Sequence, residues 1–375
     1  MNAGKRAVSS IFRHRSTLES CAVTKTQYRS KYVPARRAPK IHLAVQRGSV
    51  VPPKTTQDDL EEYLPPILLL EMSKKAGAID IEAKEAMEFL RSFHQSSQNP
   101  KDGWEDKVCQ DHKVSPATLA ILAGILNRGR SIKQQRLARD VLVSAANLGE
   151  KSAIVELVLA GIKTGINKPV FRGPLRWIRL LAEIENDPEA MMILGKVLLS
   201  QKKTQEALQW FQKSTQQSND FNGAGDAYVN QGVILSSMGR KPEAETTFRK
   251  AALELDHPEG YLHMSKLQAP GSSDQKVYLL KAASSGIIEA CHNLGALELS
   301  EFAKRDEKPK SILDYGMAWE WTNIAATAGF GPSVLNLALM HKEVGNTDAA
   351  LQLLAKAESD PAIKPEASKL KREWL

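Results

Sequence analysis

The sequence predicts an all-α chain, in which antiparallel helix pairs stack as an α-solenoid behind a disordered basic N-terminal segment. Three observations carry this expectation. One spacing of small and apolar residues recurs along the chain. Proline follows a capping side chain at several places where a helix would start. No strand-like alternation of useful length interrupts the helical period.

The N-terminal segment stands apart by charge. The chain has 375 residues, 51 Lys and Arg, 43 Asp and Glu, and a formal net charge of +8. Twelve of the bases and a single acid, Glu19, lie in residues 1–57, so that stretch is +11 and the rest of the chain is −3. A segment rich in Arg, Ser and Thr and nearly free of acid has the composition of a mitochondrial transit peptide. Val8, Ile11 and Phe12 have the spacing of one helical face, with Arg6 and Arg13 off it. A secretory signal needs a longer apolar stretch than any near the start. Cleavage is expected between Tyr28 and Val51, and placement in the matrix or on the matrix face of the inner membrane. The alternative is a basic tail that contacts nucleic acid or anionic lipid.

Residues 58–114 read as a linker, with its acids at Asp58, Asp59, Glu61 and Glu62, then Pro65 and Pro66. One helix is expected near 79–93, where the apolar spacing is helical, and 96–103 reads as a loop broken by Pro100 and Gly103. The widely spaced Cys21, Cys109 and Cys291 argue against a disulfide framework or a zinc module. Apolar runs such as Ile67 to Leu70 are far short of the roughly 20 residues that cross a bilayer, so the chain is not expected to be an integral membrane protein.

Residues 115–375 carry the repeat. Ala138, Val141, Ala145, Ala146, Gly149, Ala153 and Leu157 share their spacings with Ala318, Trp321, Ala325, Ala326, Gly329, Ser333 and Leu337. A middle copy runs Tyr278, Ala282, Ala283, Gly286, Ala290, Leu294, with Gln275 at its first position. Looser copies are Trp177, Leu181, Ala182, Ala190, Leu194, Gly195, and the recurrence of Gly195, Ala207, Phe211 as Gly232, Ala244, Phe248. Each element has a physical reason. Paired alanines late in a helix let the neighbouring axis approach closely. A glycine three residues on can take the left-handed conformation that ends the helix. The next small residue marks another close crossing, and the leucine fills the space between layers. Ser115-Pro116, Asp187-Pro188 and Asp360-Pro361 are the expected helix starts.

This frame resembles the Sel-one-like repeat, a relative of the tetratricopeptide repeat. The resemblance rests on Ala-x-x-Trp-x-x-x-Ala-Ala-x-x-Gly-x-x-x-Ser-x-x-x-Leu at 318–337, on 138–157, and on the Leu-Gly pairs 194–195 and 294–295. Gly232, Leu235, Gly239, Ala244, Phe248 and Ala251 stand at tetratricopeptide spacings. Together the likeness covers about 115–358. It departs from the pattern at 269–273, a short loop-rich connection expected to disturb regular stacking, and at the charged insertion 304–310.

The resemblance implies a non-catalytic scaffold that binds protein partners in a mitochondrial complex of the respiratory chain or translation machinery. It implies a groove at Asn230, Asn293 and Asn336, where an amide can donate to and accept from an extended peptide backbone. Met192, Lys196, Val229, His292 and Lys342 are the expected groove neighbours. The bland alternative is that these asparagines bond a neighbouring helix. A second function class is organellar RNA binding. The −3 body disfavours it, while Arg128, Arg130, Lys133, Arg136 and Arg139 keep it open, although such a stripe also reads as a solvated helix face. Enzyme motifs (a glycine-rich phosphate loop, His-Glu-x-x-His, Gly-x-Ser-x-Gly) are lacking, and no catalytic residue, metal or cofactor is expected. His257, Glu259 and His263 read as a polar helix start rather than a metal site. Cys291 reads as a small buried residue, and Trp210, Trp319 and Trp321 as packing.

Overall fold

The computed structural model describes residues 60–129, 131–305 and 308–374. The basic segment expected to be a transit peptide, with Val8, Ile11, Phe12 and Cys21, lies outside them. The described residues form helices and turns, with no strand among them. The chain divides into two units, one reaching residue 234 and the other beginning at 235.

The first unit begins where a linker around one helix was expected. Residues 60–111 instead carry α1 (Ile67–Lys75), α2 (Ala83–Gln98) and α3 (Trp104–Asp111). Ala86, Phe89, Leu90 and Phe93 lie at i, i+3, i+4 and i+7 on α2, and all four are fully buried. A capping box between Glu82 and Glu85 starts that helix, four residues later than the sequence suggests. Of the acids that read as linker, Asp58 and Asp59 lie outside the described residues, and the other two have long-range partners. Glu61 pairs with Arg91 at 2.8 Å and Glu62 with Lys133 at 2.9 Å. The Gln134 amide donates to the Leu64 carbonyl. The segment is therefore fastened to the repeat that follows it.

That repeat runs through α4 (Pro116–Asn127), α5 (Ile132–Asn147), α6 (Lys151–Thr164), α7 (Arg172–Glu183), α8 (Pro188–Ser200), α9 (Thr204–Gln217) and α10 (Ala224–Ser237). Hairpins form from α4 with α5, α6 with α7 and α8 with α9, and two rows form: α4, α6 and α8 touch in succession, and α5 lies beside α7. Ser115 and Asp187 cap as expected, accepting from the backbone N–H of Thr118 at 3.1 Å and of Ala190 at 2.8 Å. Lys151, at the start of α6, reaches Asp187 at 2.7 Å and Glu189 at 2.8 Å, clipping one hairpin to the next.

The second unit continues the pattern with α11 (Lys241–Arg249), α12 (Pro258–Leu267), α13 (Ser273–Ser284), α14 (Ile288–Phe302), α15 (Met317–Thr327), α16 (Gly331–Glu343), α17 (Thr347–Ala357) and α18 (Lys364–Trp374). Here α12 pairs with α13 despite the loop at 269–273. Ser272 caps α13, and Gln275 reaches back to the Ser265 carbonyl, so the connection is short and ordered. Asp360-Pro361 does not start a helix. The Asp360 carboxylate accepts from the Ala362 N–H in a turn, and α18 begins at Lys364.

The repeat frame closes its corners the same way three times. Gly149, Gly286 and Gly329 have φ of 86°, 86° and 85°. The N–H of the next residue donates five residues back, to the carbonyl of the first alanine of each pair: Glu150 to Ala145, Ile287 to Ala282, Phe330 to Ala325, at 2.9, 3.1 and 3.0 Å. All six paired alanines are buried, as are Ala153, Ala190, Ala290 and Ser333 one turn into the next helix and Leu157, Leu194, Leu294 and Leu337 after them. Glycine also sets the closest crossings. A Cβ at Gly295 would meet Thr322 Oγ1 at 2.5 Å, and one at Gly260 would meet the Ala252 backbone nitrogen at 2.7 Å. The latter contact falls on a π-helical turn, Lys250–Glu254, that extends α11.

Candidate functional site

The predicted groove residues divide between the units. Asn230, Met192, Lys196 and Val229 belong to the first; Asn293, His292, Asn336 and Lys342 belong to the second. In the first unit they are largely spoken for. Asn230 Nδ2 donates to the Asp226 carbonyl at 2.7 Å, one turn back on α10. Lys196 Nζ, on α8, lies 2.6 Å from Asp226 Oδ2. Met192 and Val229 are each 3% exposed, and offer a partner almost no surface.

The second unit differs. Asn293 on α14 and Asn336 on α16 are half-buried, and their side chains make no hydrogen bond among the described residues. Each directly precedes a buried leucine, so helical geometry fixes its place beside the interlayer contact. His292 is engaged. Its Nδ1 lies 2.8 Å from Ser333 Oγ, and its ring is tilted against Phe330 with centroids 4.9 Å apart. Burial pushes its pKa down to about 4, so the ring is neutral near pH 7. Lys342 Nζ sits 5.6 Å from the Trp374 ring centroid.

The remaining candidates fall on packing. His263 stacks on Phe248 at 4.4 Å with an interplanar angle of 6°, and burial lowers its pKa to about 4. Among the described residues no group of three or more His, Cys, Asp or Glu is placed to hold a metal ion. Cys291 is 3% exposed, with its thiol pKa raised by burial. Trp319 packs against the core of the last hairpins. Trp210 is half-buried with Lys213 Nζ 4.5 Å from its ring centroid, and with Asn186, Met191, Gln216 and Gln217 it lines a cavity of about 480 Å³. Sequence reasoning read this tryptophan only as packing. In the basic stripe, Lys133 is paired with Glu62 and Arg139 lies 3.8 Å from Asp140, while Arg136 is exposed; Arg130 lies outside the described residues. No helix among the described residues is long and apolar enough to cross a membrane.

Comparison with known proteins gives one family match. Residues 225–253 match the tetratricopeptide repeat. No curated protein matches the chain. Among solved structures, the chain is similar to a Sel1 repeat protein from Oxalobacter formigenes at 20% identity and TM-score 0.45, over 70% of this chain and 100% of that one. It is also similar to the APC/C hetero-tetramer Cut9–Hcn1, at 16% identity and TM-score 0.39 over 78% and 57% of the two chains. A third is c5321, a protective antigen of uropathogenic Escherichia coli displaying an SLR fold, at 18% identity and TM-score 0.29 over 78% and 79%.

Proposed function

We propose that this helical-repeat chain is a non-catalytic protein-interaction scaffold that acts in mitochondria, as an assembly or stability factor for a complex of the respiratory chain or translation machinery. The observation that carries the reading is the pair of unbonded, half-buried amides at Asn293 and Asn336, on the first helices of two successive hairpins. Such an amide offers a donor and an acceptor together, which is what an extended main chain presents in return. The tetratricopeptide match at 225–253 supports a protein partner, and the charge of residues 1–57 supports import.

The test is affinity purification of the tagged full chain from gently lysed mitochondria, beside the Asn293→Ala/Asn336→Ala variant. The reading expects a defined set of mitochondrial proteins to co-purify with the parent and to be depleted with the variant, at unchanged helical content. Equal recovery with both chains, or no enrichment in the mitochondrial fraction, overturns it.

A further inference from the structure

Helix α7 carries a stripe that the repeat frame does not require. Arg172, Arg176, Leu180 and Ile184 follow at steps of four, with Arg179 three residues from Arg176. These steps place them on one side of the helix. The other side, at Pro174, Ile178 and Ala182, is buried. All five stripe residues are exposed, and the three arginines make no ion pair or side-chain hydrogen bond among the described residues. In the second unit, by contrast, Arg240, Arg249, Lys276 and Lys371 each hold a carboxylate. Ile184 is 74% exposed, a value matched only by Ile132 among the large apolar residues described. Ile132 lies on α5, the helix beside α7, which also presents exposed Arg136.

The surrounding charge is lopsided. Residues 112–182 hold twelve Lys and Arg against three acids, within a body that sums to −3. From 157 to 182 there are five bases and no acid, and Glu183 and Glu185 border the stripe only at its Ile184 end.

We propose that this exposed face of α7 docks peripherally on an anionic membrane surface. Guanidinium groups pair with phosphates of lipid or of RNA alike, so charge alone does not choose between them. The aliphatic half of the stripe does. Leu180 and Ile184 continue the arginine line where a nucleic-acid backbone has no use for them. Against a bilayer, the arginines sit among phosphates while Leu180 and Ile184 enter the boundary between headgroups and acyl chains. Each arginine contributes about fivefold to binding, so three contribute about a hundredfold.

The test uses the full chain with a fluorophore on Ile184→Cys in a Cys21→Ser background. Cys109 and Cys291 are buried, so the label goes to position 184. A local probe is needed because residues 1–57 themselves attract anionic vesicles. With phosphatidylcholine vesicles containing phosphatidylglycerol, the emission is expected to shift to the blue, and with pure phosphatidylcholine it is expected not to move. Adding Arg172→Glu, Arg176→Glu and Arg179→Glu is expected to raise the lipid concentration needed by about a hundredfold at unchanged helical content. No shift with anionic vesicles, or the same shift in the triple variant, overturns the proposal. So does RNA binding that the triple variant loses while vesicles leave the probe unmoved, which would make the face a nucleic-acid site.

Discussion

Replacing Gly260 with alanine tests the close crossing of α12 on the π turn. The added Cβ would lie 2.7 Å from the Ala252 backbone nitrogen, and 3.0 Å from both the Ala251 carbonyl carbon and its Cβ. These are backbone positions or rigid stubs, so no side chain can swing away. Overpacking a tight site costs about 1–3 kcal/mol. Alanine recovers at most about 1 kcal/mol of helix propensity over glycine, and less in a first turn, where Gly260 sits. The net expectation is a loss of about 1–2 kcal/mol, or about 3–8 °C in Tm for a unit of this size. The control is Gly124→Ala. That glycine is exposed within α4, and a Cβ there meets nothing within 4 Å. It should gain about 0.5–1 kcal/mol. Thermal and urea melts followed by circular dichroism read both. If Gly260→Ala melts at or above the parent while Gly124→Ala rises, the crossing is looser than its geometry implies and the reasoning fails.

Other outcomes follow from the same geometry. Gly329→Ala forces an L side chain to φ 85° and should cost about 1–2 kcal/mol in a denaturant melt, with Gly329→Asn milder. Asp187→Ala removes both a cap and the Lys151 ion pair, whereas Asp187→Asn keeps the cap, so the difference in melting between the two variants isolates the cap and the loss in Asp187→Asn relative to the parent reads the ion pair. His263 and His292 have folded pKa values near 4, below the ordinary 6.5. The unfolded chain therefore takes up protons first, so stability should fall as pH drops from about 6.5 to about 4 and level off below. Urea midpoints across that range check it, and His292→Asn should flatten the fall. Burial raises the Cys109 thiol to about 11, so Cys109 and Cys291 should resist thiol reagents until the chain unfolds.

The hairpin frame was legible because its signals are local. Ala145-Ala146-Gly149, Ala282-Ala283-Gly286 and Ala325-Ala326-Gly329 each encode a helix end within a few residues, and each is built that way. Ser115 and Asp187 announced their helices because capping is a contact over three residues. Residues 60–111 were misread for the opposite reason. The partners of Glu62 and Leu64 are Lys133 and Gln134, about seventy positions away, and in sequence the acids and prolines look solvated. Asp360-Pro361 carries the same letters as a true start, yet its capping oxygen is used by a turn. At the groove, a shared sequence position did not ensure a shared role. Asn230 has a carbonyl one turn back within reach, and Asn293 and Asn336 do not use theirs. The α7 stripe lay in plain view as three arginines at helical steps, but a net charge summed over the whole body hid it.

The corner bond from Glu150, Ile287 and Phe330 onto the first alanine of each pair links the last helix of one hairpin to the first of the next through main-chain atoms alone. Hairpins joined in this way can be duplicated, deleted or exchanged as cassettes, because the joining bond asks for no particular side chain of either one. Lengthening such a protein then becomes an editing operation on whole modules, with new surface gained at each step and old corners left undisturbed.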